Sequence, residues 1–239
     1  MNEPDNSVEL QGISQVFGDH TVLSDISVSF KKNRITAILG KSGSGKSTLL
    51  QVINGMIRPS KGRVILEGNN LDYDNIHSLR LQIGYVVQQV GLFPHMTVRN
   101  NIELLGKVSK KTKNDIHDRA KELMEMVDLP LTYLNKYPHQ LSGGEQQRAG
   151  LCRAMLLRPP LLLMDEAFAS LDYGTKQGIY THLLDIQKKE KRSVVMVTHD
   201  WDESILLADH FIWIAEGKIR ASGEKSQLED LKKSYMSEL

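Results

Sequence analysis

Along the chain, short apolar runs alternate with stretches whose apolar residues recur at helical spacing. The β-branched runs predict strands at Ile26–Phe30, Arg34–Leu39, Arg63–Leu66, Ile83–Val87, Leu161–Asp165, Ser193–Thr198 and Phe211–Ala215. Ile35–Leu39, Leu161–Met164 and Val194–Val197 are apolar almost throughout, as strands covered on both faces of a sheet must be. Between the runs, Asn114–Asp128 places Ile116, Ala120, Leu123 and Val127 on one helical stripe. Strands alternating with helices predict an α/β domain with a largely parallel sheet. From about Val90 to Pro159 the pattern is helical, with charged faces and no strand. This predicts a helical subdomain (about 90–159) inserted into an α/β core of about 1–89 and 160–223. In the tail 224–239, Ser226 and Glu229 form a candidate capping box ahead of Leu228, Leu231 and Tyr235, predicting a terminal surface helix.

Gly40-Lys41-Ser42-Gly43-Ser44-Gly45-Lys46-Ser47, followed by Thr48, fills the phosphate-binding loop pattern between the strand Ile35–Leu39 and the helical pattern Ser47–Ile53. Glycines let successive backbone N–H groups converge on an anion, and the helix that follows aims its positive end at the phosphates. Lys46 supplies a mobile charge for the β and γ oxygens, and Ser47 a hydroxyl for Mg²⁺. The bland alternative is a Gly/Ser-rich turn; the flanking strand and helix weigh against it. The run Leu161–Met164 ends in Asp165 and Glu166, two carboxylates at the ligand edge of a parallel sheet. Asp165 is the candidate to hold Mg²⁺ through water, and Glu166 to orient or deprotonate the attacking water. In Leu141-Ser142-Gly143-Gly144-Glu145-Gln146-Gln147-Arg148, Ser142 and the N–H groups of Gly143 and Gly144 offer a second anion site at a helix start. Ser142 and Glu145 also fit a plain capping box. A cap explains the serine, but not glycines in a first turn, where they cost stability.

These motifs resemble those of the ABC-type ATPases, whose signature the run Leu141–Arg148 matches, and the resemblance covers Val8 to about Gly223. It implies a P-loop NTPase core with a mainly parallel sheet, an antiparallel β subdomain near the N-terminus and an inserted helical subdomain, one domain over 1–239. By position it implies that Gln88 senses Mg²⁺ and water, with Gln89 a rival beside it. Asp172, in Ala169-Ser170-Leu171-Asp172, would reach across a dimer, and His199 would contact the γ-phosphate. Phe17 falls where the family stacks an aromatic ring under adenine, a core aromatic being the alternative. The family usually has proline after the paired acids; this chain has Ala167, keeps both acids, and is still expected to hydrolyse ATP. The implied cofactors are ATP and Mg²⁺, enclosed between the phosphate loop of one protomer and the signature of its partner in a homodimer with two sites.

Ile83–Val98 and Lys136–Leu141 are most similar to ATP-binding subunits of bacterial importers, chiefly those for glycine betaine, choline and other quaternary amines. That implies a transmembrane permease partner, a solute-binding protein in the complex and a peripheral place on the inner face of the membrane. Val90, Leu92, Phe93 and Met96 are the candidate docking surface, with burial in the helical subdomain as the equal alternative. Such relatives often carry a C-terminal regulatory domain, for which this chain is too short. The competing class, ABC ATPases acting on ribosomes or DNA, generally carries paired ATPase units or long coiled-coil insertions, which this sequence lacks.

Composition narrows this only slightly. Thirty Lys and Arg against 29 Asp and Glu give a net charge of +1, so no global field favours nucleic acid. The single Cys152 permits no intrachain disulfide and fits a reducing compartment. No apolar run approaches the ~18–20 residues that span a bilayer, and the acidic N-terminus is unlike a signal peptide. A cytosolic location is expected, with any membrane role resting on a spanning partner.

Overall fold

The computed structural model of the chain describes residues 5–87, 91–109, 111–169 and 171–237. In chain order the strands are β1 (Asn6–Phe17), β2 (His20–Lys31), β3 (Ile35–Leu39), β4 (Lys61–Leu66), β5 (Asn69–Asn70), β6 (Ile83–Val87), β7 (Leu161–Asp165), β8 (Ser193–Val197), β9 (His210–Ala215) and β10 (Lys218–Glu224). The α-helices are α1 (Lys46–Ile53), α2 (Ile76–Arg80), α3 (Val98–Ile102), α4 (Lys113–Met126), α5 (Gly143–Met155), α6 (Tyr173–Glu190), α7 (Trp201–Leu207) and α8 (Leu228–Ser237). One sheet has the order β2-β1-β4-β5 and is antiparallel; the other runs β10-β9-β3-β8-β7-β6. From β9 to β6 this second sheet is parallel, and β10 joins it as an antiparallel edge.

The apolar runs of β3, β7 and β8 serve two cores at once. Ile38, Leu161, Leu163, Val195 and Val197 face α1 and the antiparallel sheet, while Ala37, Leu162, Met164, Val194 and Met196 face α3–α6. Each Val, Leu, Ile or Met side chain moved from water into such a core contributes ~1.5–3 kcal/mol. Helix α1 lies in the first core, with Leu49, Leu50, Val52 and Ile53 fully buried. Parallel strands covered on both faces deliver all their carboxyl ends to one sheet edge, and that edge is where the conspicuous motifs fall.

Two strands go unread in the sequence pattern, and one expected cap lies elsewhere. β1 escapes the pattern analysis because a bulge at Gly12 (φ 61°) shifts its register, so the inward positions run Val8, Leu10, Ile13 and then the polar Gln15. β10 is an edge strand that alternates exposed and half-buried residues, with little apolar signal. At the tail the cap is not the Ser226–Glu229 box: Gln227 accepts from the backbone N–H of Glu224 (3.0 Å), closing a 3₁₀ turn over 225–227 before α8. Leu228, the first residue of α8, is fully buried, and that contact fixes where the helix begins.

Among the described residues from 91 to 160 there is no strand. Within that stretch the fully buried Asn101 ties down the preceding loop, accepting from the N–H of Phe93 (2.7 Å) and donating to the carbonyls of Phe93 and Met96. Leu92 packs on the core, Met96 is half-buried and Phe93 stands exposed; Val90 lies outside the described residues.

Candidate functional site

The loop between β3 and α1 is built around a helix start without a side-chain cap. Helices α3 to α7 are capped by Thr97, Ser142, Asp172, Asp200 and, for α4, Thr112. The N-cap of α1 is Gly45, which offers no side chain, and its first turn holds no acid. Its leading N–H groups and the positive end of the helix are thus available to an anion. Gly45 adopts φ 101°, and a Cβ there would meet Leu23 Cδ2 at 2.8 Å and the Val22 carbonyl at 2.9 Å, so β2 braces the loop from outside. Lys46 is buried and its ammonium donates to the carbonyls of Gly40 (2.8 Å) and Lys41 (2.9 Å). Burial lowers its pKa, against the opposing pull of Glu166 and Asp165. Ser44 is buried, Thr48 half-buried, and Lys41, Ser42, Gly43 and Ser47 exposed.

The parallel register sets β7 beside β8, with Asp165 opposite Val197, and so gathers the acids and His199 beside this loop. The Ser47 hydroxyl donates to Asp165 Oδ1 at 2.9 Å. Burial pushes the Asp165 carboxyl up, the Ser47 hydrogen bond pulls it back, and the net effect is upward. Glu166 follows in the left-handed region (φ 46°), a conformation costing ~1–2 kcal/mol outside glycine. Two backbone hydrogen bonds hold it: Glu166 N–H to the Val197 carbonyl (3.0 Å) and Ala169 N–H to the Glu166 carbonyl (3.1 Å). A proline at 167 would draw the residue before it toward extended backbone; Ala167 leaves the turn open. Glu166 Oε2 lies 3.5 Å from His199 Nδ1.

The other predicted residues sit apart from this cluster or outside it. Ser142 caps α5 in a reciprocal box, its N–H donating to Glu145 Oε2 (2.7 Å), a bond that holds the Glu145 carboxyl below its usual range. The two glycines behind it differ. A Cβ on Gly144 would come within 2.4 Å of Thr175 Cγ2, so packing of α5 on α6 demands it. A Cβ on Gly143 would meet nothing closer than 4.0 Å, so nothing within the chain requires glycine there. Asp172 caps α6, accepting from Thr175 N–H (3.0 Å) and Thr175 Oγ1 (2.6 Å), bonds that lower its pKa. Phe17, at the β1–β2 hairpin, is 49% exposed and belongs to no core cluster. Gln88 and its neighbour Gln89 lie outside the described residues.

Residues the sequence did not single out also reach the site. The Tyr85 hydroxyl donates to Asp165 Oδ2 (3.5 Å), and burial plus that acid pushes its pKa up to about 12. Its place in the strand Ile83–Val87 was legible, but its aim at Asp165 depends on strand pairing. Trp213 stacks on Trp201 (5.2 Å between centroids, 23°), and the pair lines a cleft with Gly40, Lys41 and His199.

Residues 23–169 match the family model described as ABC transporter. The chain belongs to that family. It is 40% identical over 222 residues to the glycine betaine/carnitine/choline transport ATP-binding protein OpuCA of Bacillus subtilis, covering 92% of this chain and 58% of that one. It is 41% identical over 220 residues to the Fe(3+) ions import ATP-binding protein FbpC 2 of Pectobacterium atrosepticum, covering 90% and 62%. The chain thus spans a little over half the length of these curated relatives. Among solved structures it superposes on cbiO1 of Clostridium perfringens, part of the ABC transporter complex cbiONQ, with a TM-score of 0.89 at 27% identity over 98% of this chain and 94% of that one. It likewise matches the dimeric post-hydrolysis state of the cassette MJ0796 bound to ADP and Pi, with a TM-score of 0.82 at 30% identity over 91% and 98%. The expected fold, an α/β P-loop core with a separate antiparallel sheet, is the one found.

Proposed function

We propose that the chain binds Mg-ATP and hydrolyses it as half of a homodimer, driving solute movement through a separate membrane-spanning subunit. The observation that carries this reading is a convergence at one sheet edge: the uncapped start of α1 with Lys46, the Ser47–Asp165 pair, and the Glu166–His199 pair.

The loop amides and Lys46 bind the phosphates. Ser47 and Asp165 present hard oxygens side by side, and among the described residues no group of three or more His, Cys, Asp or Glu is placed to hold a metal ion by itself. That donor set suits a cation that takes its other ligands from phosphate and water, as Mg²⁺ does. Ser47 and Asp165 would hold it, with Gln88 a further proposed ligand, and the ion would neutralise charge on the β and γ oxygens. Glu166 takes the proton of the attacking water, and His199 steadies that carboxylate and faces the γ-phosphate. Phe17, exposed at its hairpin, is assigned to stack on adenine. Ser142, Gly143 and Gly144 close over the partner's nucleotide, with Asp172 beside the junction. The bare face of Gly143 supports that assignment.

No helix among the described residues is long and apolar enough to cross a membrane; a spanning permease is the proposed partner. Exposed Phe93 is the proposed contact. Import of a quaternary amine, with a solute-binding protein in the complex, is the favoured cargo reading, drawn from the Ile83–Val98 and Lys136–Leu141 segments and the OpuCA likeness. Measured phosphate release, with Lys46→Ala losing tight ATP binding in calorimetry, tests the ATPase reading; wild-type affinity in that variant would overturn the loop assignment. Stimulation of turnover by glycine betaine rather than ferric ion, in vesicles holding the permease and binding protein, tests the cargo.

A further inference from the structure

Beneath the site lies a buried acid that the catalytic reading leaves unused. Glu203 is 5% exposed, on the first turn of α7. Asp200 caps that helix, its Oδ1 accepting from the N–H groups of Asp202 (3.0 Å) and Glu203 (3.2 Å). In an ordinary capping box the third helical residue reaches back to the N–H of the cap itself. Here the Thr198 hydroxyl stands between them. It accepts from the Asp200 N–H (3.0 Å) and donates to Glu203 Oε2 (2.6 Å). The Thr198 N–H in turn donates to the carbonyl of Ile38 on β3 (3.2 Å).

The inserted residue is what gives this arrangement meaning. His199 sits between Thr198 and Asp200, so both of its neighbours are fixed by one chain of hydrogen bonds while its own ring is 61% exposed beside Glu166. A plain capping box would satisfy the helix equally well and leave the Thr198 side chain out of the turn. Burying a carboxyl costs stability unless its hydrogen bonding is retained, and a surface capping acid avoids that cost. The groups facing Glu203 are Asp200 on its own helix, Lys176 and Tyr180 from α6, and Glu166 beyond β7. Lys176 also pairs with Asp200 Oδ2 (3.6 Å). Lys176 lies in the first turn of α6, so this contact ties the turn to the helix capped by Asp172.

We propose that Glu203 is a positioning residue for hydrolysis, holding the Thr198–Asp200 turn through the Thr198 hydroxyl so that His199 stays aimed at Glu166. This rests on the ATPase reading above. Burial pushes the Glu203 carboxyl up to about 7, with Asp200 and Glu166 adding to that and the Thr198 bond and Lys176 opposing it. The bond from Thr198 therefore changes character across neutral pH.

The test uses the whole 239-residue chain with Mg-ATP, after a thermal melt has confirmed folding of each variant. Glu203→Ala and Thr198→Val should each lower kcat by ~10–100-fold with KM for ATP within about 2-fold, as expected for misaimed catalytic groups in an intact binding site. Glu203→Gln, whose amide oxygen still accepts from Thr198, should recover most of that loss and erase an inflection of kcat near neutral pH. A wild-type kcat in folded Thr198→Val or Glu203→Ala overturns the proposal, as does a Glu203→Gln loss equal to that of Glu203→Ala. If Glu203→Ala does not fold, Thr198→Val decides. The His199 imidazole, followed by NMR and assigned with His199→Gln, gives a second readout without nucleotide. In Thr198→Val its ring resonances should split or move, and an unchanged ring overturns the proposal. Wild type releasing no phosphate would sink the ATPase reading alone, leaving the imidazole measurement to judge Glu203.

Discussion

Glu166 is the residue on which turnover should depend most sharply. Its left-handed backbone is held from both sides by hydrogen bonds, and its carboxylate lies against His199. Glu166→Gln keeps size and one acceptor but cannot take a proton, and general-base contributions are ~10²–10⁴-fold. Hydrolysis should fall by that order while ATP stays bound through Lys46, Ser47 and Asp165. Because nucleotide bridges two protomers in the proposed assembly, the variant should elute as a dimer in Mg-ATP and as a monomer in Mg-ADP. Wild-type turnover in this variant removes Glu166 as the base. The loop, the paired acids and the signature were legible from sequence because each packs its chemistry into consecutive residues. Tyr85, Thr198 and Glu203 were not, since their roles arise from strand register and from a helix folding back on its own cap.

At the scale of elements, the packing of α5 on α6 separates the two signature glycines. Gly144→Ala should destabilise by ~1–3 kcal/mol, because the added methyl overlaps Thr175 Cγ2. Thr175 cannot swing aside without breaking its 2.6 Å bond to Asp172. Gly143→Ala meets no such obstacle and should raise helix stability by ~0.5–1 kcal/mol while lowering hydrolysis. Chemical denaturation and phosphate release on the two variants check both statements; equal destabilisation would refute the distinction. The doubly covered strands were readable because burial on both faces leaves an unbroken apolar run. β1 hid behind its bulge at Gly12 and the inward Gln15, and β10 behind its solvated edge. The start of α8 was misread because burial of Leu228, a tertiary contact, outweighs the local Ser226–Glu229 signal.

For the whole molecule, stability and assembly give separate tests. Glu203 has its pKa raised from 4.5 to about 7 by folding, so its favourable contribution is complete below about 4.5 and is lost as pH rises through 7. The melting temperature should therefore fall as pH rises from about 4.5 to 7 and level off above, by an amount corresponding to at most ~3 kcal/mol in all, and Glu203→Gln should flatten that slope. Glu145 is shifted the other way, chiefly by the Ser142 N–H, so its contribution disappears only as pH drops through the acid range. In the proposed dimer, Ser142→Arg and Lys46→Ala each spoil one half of a shared site. Mixing the two should restore one intact site and part of the phosphate release; no recovery in proven mixed dimers would exclude sharing. The two tryptophans of the chain are Trp201 and Trp213, stacked between the His199 turn and the phosphate loop. The protein therefore carries its own optical reporter. All indole emission originates at the seam between the His199 turn and the nucleotide loop, so adding ATP to unlabelled protein should change its intensity or wavelength, and the change should decay at the pace of turnover.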